Sequence, residues 1–279
     1  KPQRRDVMRV DLHMHTTASD GAWTPQAVVQ GAVDGRLDVI AITDHDTMAG
    51  YEPAAAAAEK LPIQVIRGIE VSSTHEGQDV HILGYFVDPE SPVLIAHCAR
   101  AGNRRVERMQ EMVAKLVEGG LEVTYEDVLQ AAGPDHVTIG RPHLARALVA
   151  LGHVSTVSGA FNSLIGDNHV AFVPTHLASP VEAVGMIVEA GGIPIWAHPP
   201  GWLVDELLPG LVGAGLGGLE VYRPSHRKHD VVRYETICRT GGLLMSGGSD
   251  WHTPFAGASL GDFHVAASEI EPLLSEGGF

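Results

Sequence analysis

Short apolar runs recur along the chain, and polar residues gather where they end. "MRVDLHM", "LDVIAIT", "IQVIRGIEV", "DVHILGYF", "GIPIWAH", "GGLEVY" and "GLLMSGG" are mostly continuous Val, Ile and Leu. That pattern predicts strands buried on both faces of a parallel sheet. Between them the apolar positions take helical spacing. "TPQAVVQGAVDGR" offers Thr24 as N-cap with Pro25 at the first helical position, and "SPVEAVGMIVEAGG" repeats the device with Ser179 and Pro180 before closing on glycines. "EPAAAAAEK" is alanine-rich and strongly helix-forming, and "DELLPGLVGAG" reads as a further helix. Alternating β and α units predict an α/β fold, either a barrel or a doubly wound sheet.

The middle breaks this rhythm. From Pro92 to Pro174 helices follow one another without strands, in "HCARAGNRRVERMQEMVAKLVEGG", "TYEDVLQAAG" and "GRPHLARALVALG". The chain therefore divides into a first barrel segment (1–91), a helical insertion expected to cap the site (92–174) and a second barrel segment (175–279).

Composition narrows the function. With 279 residues, 44% hydrophobic and 19% charged, the chain is globular. No run reaches the roughly 18–20 apolar residues of a membrane span. "KPQRRDVMRV" is basic but lacks the apolar core of a signal peptide, and Met8 is a candidate start with residues 1–7 as an extension. Two cysteines, Cys98 and Cys238, make neither a disulfide framework nor a Cys-x-x-Cys site, so a cytoplasmic location is expected. A net charge of −15 argues against a surface for long nucleic acid, though not against a nucleotide held by local cations.

The chain holds 16 histidines, and their placement matters more than their number. His13 and His15 end the first strand; Asp44, His45 and Asp46 follow the second. Glu70, His81, His198, Asp250 and His252 occupy similar places further on. In a β/α barrel such ends converge on one mouth. Residues two apart on a strand face the same side, so His13 and His15 point together. One buried histidine is commonly a hydrogen-bonded core residue; several beside carboxylates are costly to desolvate unless a cation joins them. Imidazole with carboxylate suits several metals.

At these residues the chain resembles the PHP (polymerase and histidinol phosphatase) family. The motifs are "DLHMHTTASDG", "AITDHDTMAG", "GIEVSS", "HILGY", "AHP" and "SGGSDWH", in family order from Asp11 to His252. The insertion carrying "GRPHLARALV" looks most like the stand-alone nucleotide-phosphatase branch, which takes nucleoside bisphosphates, monophosphates and short 5′-phosphorylated oligoribonucleotides. The resemblance implies a distorted seven-stranded β/α barrel and two or three divalent ions (Mn, Zn or Fe). His13, His15, Glu70 and Asp250 would hold the first ion. Glu70 would bridge to a second with His81 and His198, and Asp20, His45 and His252 would hold a third. Glu70 and Asp250 are thereby implied in catalysis, and Asp44 and Asp46 are either supports for an imidazole or turn residues.

For the substrate phosphate, Arg141 and His143 flank Pro142 at a helix start, where free N–H groups and a guanidinium favour an anion. The plain alternative for Arg141 is a solvated helix-terminal residue. His226 in "VYRPSHRKHD" is a further phosphate-binding candidate and, by resemblance, an acid for the leaving group. The other histidines, including His75, His97 and His176, are expected to be structural or superficial. One departure stands out: relatives of this branch carry a lysine and a tyrosine in an "F-x-K-Y-L" segment, whereas this chain has "FNSLIGDNHVAFVP". These features together predict a metal-dependent phosphoesterase for small phosphorylated substrates, nucleotides foremost. A histidinol-phosphate-like or broad-range phosphatase and a non-catalytic metal-binding module are the alternatives.

Overall fold

The computed structural model describes residues 8–134, 136–167, 169–175, 177–254 and 259–279. Residues 1–7, whose origin was in question, and His176 lie outside the described residues. The seven apolar runs form β1 (Arg9–Met14), β2 (Val39–Ile42), β3 (Gln64–His75), β4 (Gln78–Tyr85), β5 (Ile193–Trp196), β6 (Gly218–Tyr222) and β7 (Leu244–Gly247). An eighth strand, β8 (Val265–Ala266), was not expected; at 2 residues it is too short to leave a periodic pattern. It pairs antiparallel with β1.

The sheet order is β7-β6-β5-β4-β3-β2-β1-β8. Beyond β7 the chain returns to β1. The His15 N–H donates to the Trp251 carbonyl (2.8 Å) and the Trp251 N–H to the His13 carbonyl (3.2 Å). Met14 and Trp251 form a parallel bridge there, so the sheet curls into a nearly closed barrel.

The strands are not all parallel, as the apolar runs had suggested. β4 runs antiparallel to both β3 and β5. The cause is local: only Glu76 and Gly77 separate β3 from β4, and both have positive φ (47° and 80°). A two-residue hairpin with this geometry matches the twist of antiparallel strands. The reversal puts His81, in the first half of β4, opposite Ser72 of β3 and beside the C-terminal end of β5.

Helices surround this sheet: α1 (Pro25–Asp34), α2 (Tyr51–Ala58), α3 (Pro92–Glu118), α4 (Tyr125–Ala132), α5 (Arg141–Ala150), α6 (Val157–Ala160), α7 (Pro180–Glu189), α8 (Val204–Gly213), α9 (Lys228–Gly241) and α10 (Glu271–Glu276). A π-helical turn, Phe161–Ile165, continues α6. Thr24 caps α1 through the Ala27 N–H, and Ser179 caps α7 in a box with Glu182. Each satisfies helix-start N–H groups that would otherwise lack partners.

The helices between β4 and β5 bury a core of their own, with Met112, Leu116, Leu144, Leu148 and Ile165 among its members. α3 lies across the join. Its buried face runs through Leu94, His97, Ala101, Arg105, Arg108, Met112 and Leu116, at helical spacing. Three basic or imidazole side chains thus occupy a stripe where apolar residues are usual.

Candidate metal centre and substrate pocket

The strand ends deliver the site. β1 supplies His13 and leads into His15; the following turn supplies Asp20. The segment after β2 brings His45, and β3 places Glu70 at its centre. His81 comes from β4, His198 follows β5, and Asp250 and His252 follow β7. Close approach of these segments needs glycine: a Cβ on Gly248 would overlap the backbone and Cβ of His13. Asp46, His198 and Asp250 all have positive φ (52°, 32° and 58°). Such strained backbones persist where surrounding structure enforces them, commonly at functional sites.

Glu70 is fully buried and ringed by five imidazoles. Its Oε2 lies 3.2 Å from His13 Nε2, 3.1 Å from His15 Nε2 and 3.2 Å from His45 Nδ1. Its Oε1 lies 3.0 Å from His81 Nδ1 and 3.1 Å from His198 Nε2. Asp250 Oδ1 approaches His13 Nε2 (3.4 Å) and His15 Nε2 (3.3 Å). Asp20 Oδ1 is 3.2 Å from His252 Nε2, and Asp20 Oδ2 is 3.9 Å from His45 Nε2. All nine expected ligands therefore converge on one locality.

The donor set fits cations. His15 Nε2, His45 Nδ1 and His81 Nδ1 are buried without a hydrogen-bond partner, although each stands beside a Glu70 oxygen. Buried polar atoms rarely go unpaired. Nitrogens close to carboxylate oxygens but misaligned for N–H donation have the arrangement of lone pairs gathered round a common ion. Within this cluster, three groups have ligand atoms close enough to share one: His13, His15, Glu70 and Asp250; His45, Glu70 and His81; and His15, Asp20, His45 and His252.

Electrostatics show the same crowding. Burial opposes charge on Glu70, yet the imidazoles, His45 and His13 foremost, hold its pKa well below the usual range. Burial pushes His45 down to about 3. On His252 burial is outweighed by Asp20, and the pKa rises to about 10.

A further layer of carboxylates holds these groups: Asp44 and Asp46, named in the sequence as supports or turn residues, and Glu220 and Asp11, which the sequence reading had not assigned. Glu220 of β6 is fully buried, accepting from His13 Nδ1 (2.8 Å) and the His198 N–H (2.7 Å). Asp11 accepts from the N–H of Ser249 (2.8 Å) and that of His13 (3.3 Å). Asp44 accepts from the Thr16 N–H (2.7 Å) and hydroxyl (2.8 Å) and the Ser19 hydroxyl (2.6 Å), fixing the turn that carries Asp20. Asp46 accepts from His97 (2.8 Å), Arg105 (2.6 Å) and the Ser72 N–H (2.8 Å). Neither aspartate bonds the His45 ring; they brace the backbone on either side of it. The signal for Glu220 was a lone carboxylate inside "GLEVY", and for Arg105 a cation on the apolar stripe of α3.

A pocket of about 320 Å³ opens over the cluster, with Arg105, Arg108, Arg141 and Phe161 from the insertion forming one wall. Asp79 gathers Arg108 (3.1 Å) and Arg141 (3.4 Å). Arg141 also pairs with Asp167 (2.6 Å) and lies near the rings of Phe161 and Phe172. His143 is buried, its Nδ1 accepting from the Gly140 N–H (2.9 Å), and does not line this pocket. His226 lines a neighbouring pocket instead. In the segment lacking the lysine and tyrosine, the Ser163 hydroxyl donates to the Gly159 carbonyl and Leu164 packs against the insertion core.

A family profile described as the PHP domain matches residues 11–139. The 3′,5′-nucleoside bisphosphate phosphatase of Chromobacterium violaceum is 34% identical over 256 residues, 90% of each chain. The phosphoribosyl 1,2-cyclic phosphate 1,2-diphosphodiesterase of Eggerthella lenta is 35% identical over 92% of this chain and 99% of its own. The 5′-3′ exoribonuclease of Haemophilus influenzae is 34% identical over 91% and 93%. Among solved structures, one from Bifidobacterium adolescentis, provisionally described as a metal-dependent phosphoesterase, superposes with a TM-score of 0.87 at 33% identity, covering 95% of both chains. A C. violaceum structure described as an amidohydrolase with bound sulfate and no metal gives 0.83 at 34% identity over 90% of both. Likeness of this degree runs along nine-tenths of the chain, so the chain belongs to the PHP family.

Proposed function

We propose that this chain is a metal-dependent phosphoesterase hydrolysing small phosphorylated substrates, nucleotides foremost. The observation that carries the reading is the juxtaposition of the Glu70-centred cluster with a wall of arginines across one pocket. The related enzymes differ in substrate, but their names share cleavage of a phosphate ester.

His13, His15, Glu70 and Asp250 would hold one cation, Glu70, His81 and His198 a second, and Asp20, His45 and His252 a third. Glu70 suits the bridging place because its two oxygens face different imidazoles. Bound divalent cations would acidify water and offset charge on phosphoryl oxygens. Manganese, zinc and iron all match the donors. The protein supplies the rest. Arg141 and Arg108 bias the pocket toward an anion, and residues 92–174 act as a cap that narrows its mouth. The acidic Asp167 beside Arg141 favours short substrates over long nucleic acid.

The test is turnover of a nucleoside 3′,5′-bisphosphate together with metal analysis. The purified protein should contain two or three equivalents of transition metal and lose activity in chelator, and Glu70→Ala should lose both metal and turnover. Full activity in the chelated wild type would overturn the proposal.

A further inference from the structure

Several pockets border the ligand cluster, and two of them share His198. His198 and Asp250 line the arginine-walled pocket and also a second one of about 380 Å³. Different loops build the second: Pro199–Gly201 after β5, and Arg223, Ser225 and His226 after β6. Each volume is at the small end of the range for small-molecule sites, roughly 300–1,000 Å³. A monoester centred on the cluster needs only one of them.

The second pocket has a defined hydrogen-bonding character. His226 Nδ1 lies 2.8 Å from the Val221 carbonyl, which only accepts, so Nδ1 carries the proton. Burial first, and Arg223 as a further cause, lower its pKa below the usual imidazole value. With Nδ1 donating to Val221, Nε2 is the acceptor of the ring, and it bonds nothing among the described residues. An acceptor repels phosphate oxygens, and without a proton it cannot act as an acid. It matches a hydroxyl donor. Beside it Arg223 reaches Asp250 Oδ2 (3.3 Å) while its buried Nε has no partner. With the Arg223 charge met by Asp250 and the Asp230 carboxylate also in its lining, the pocket offers the His226 acceptor to an uncharged polar group.

We propose that this pocket receives the second ester group of a phosphodiester, the one a monoester lacks, with His226 Nε2 accepting a hydrogen bond from a sugar hydroxyl of that nucleoside. The proposal rests on the phosphoesterase reading and assigns the pocket that a diester substrate would need. Water adds to phosphorus, the P–O bond to the alcohol breaks, and that bond's electron pair leaves on the alcohol oxygen. A proton from the water ends on that oxygen, directly or through solvent. The products are an alcohol on the arginine side and a phosphate monoester whose nucleoside occupies the second pocket.

The experiment compares a nucleoside 3′,5′-bisphosphate with a 5′-phosphorylated dinucleotide in the manganese-loaded wild type, Ser225→Phe and His226→Phe. Ser225 is exposed, so the phenylalanine fills the pocket without disturbing the core. The dinucleotide-to-bisphosphate ratio of kcat/KM should fall about tenfold or more in Ser225→Phe and several-fold in His226→Phe. Calorimetric affinity for a dinucleotide with CH₂ replacing the leaving oxygen should fall in parallel. An unchanged ratio in both variants, or a wild type that hydrolyses the bisphosphate but not the dinucleotide, overturns the pocket assignment alone. A wild type inactive on both substrates overturns the phosphoesterase reading with it.

Discussion

Glu220 shows how much of this site depends on side chains that would touch neither metal nor substrate. It accepts from His13 Nδ1 and from the backbone of His198, so one carboxylate orients two imidazoles that meet Glu70. Glu220→Gln keeps the volume but gives one of those two donors an NH₂ group to face. A mutation of this kind typically costs about 10–100-fold in metal affinity. The expected outcome is a correctly folded protein that loses metal on dialysis and regains activity in excess manganese, read by metal analysis and rescue titration. Normal metal retention would show that the Glu220 bonds are dispensable. At this scale the sequence was readable where polar residues ended apolar strands. The His13–His15 pair sits at such an end and Asp250 stands beside another, whereas Glu70 closes an apolar run but lies at the centre of β3, which continues to His75. Glu220 lies within an apolar run, where a single carboxylate has no local partner to reveal its use. Its partner is more than 200 positions away, with |i−j| = 207.

The elements were legible as types more than as neighbours. Helical spacing identified α3, but not that His97, Arg105 and Arg108 face inward, because inward direction depends on what the helix packs against. The antiparallel β4 was signalled only by the Glu76–Gly77 pair, overshadowed by apolar runs of parallel type. The consequence lies in Asp46, whose carboxylate joins α3 to the segment bearing His45. Arg105 gives it two hydrogen bonds and His97 a third, all buried. Burial opposes the Asp46 charge, but Arg105 and His97 hold its pKa far below the ordinary carboxylate value. Arg105→Met leaves that charge without its main partner. Breaking a buried pair in this way costs about 3–5 kcal/mol. Denaturant unfolding should register that loss, and metal binding at His45 should weaken with it. A variant as stable as the wild type would mean that α3 is held by its apolar contacts alone.

Across the whole molecule, the nearly closed barrel forces nine ionisable groups into one mouth. The strand order was not legible, because closure depends on Trp251 meeting β1, a contact absent from any local pattern. That enforced crowding makes stability depend on pH and metal together. In metal-free protein His252 has its pKa raised from 6.5 to about 10 and His13 is also raised, burial being outweighed by carboxylates. Such groups contribute stability that is fully present below about pH 6.5 and lost as pH rises through the folded value. Asp20, Glu70 and Asp250 shift downward, so their contribution is present above about pH 4 and lost in acid. His45, pushed down to about 3, adds a penalty as pH falls below 6.5. Metal binding needs unprotonated imidazoles, so it must expel the proton from His252 and His13. Uptake should therefore release protons near neutral pH and tighten toward alkaline pH. The difference in Tm between manganese-loaded and chelated protein should widen from about pH 6.5 to about pH 8.5, since the metal-free form weakens while binding strengthens. A Tm difference that stays flat or narrows over that interval would mean that His252 and His13 give up no proton to the metals, and that the ring of imidazoles about Glu70 is neutral before they bind.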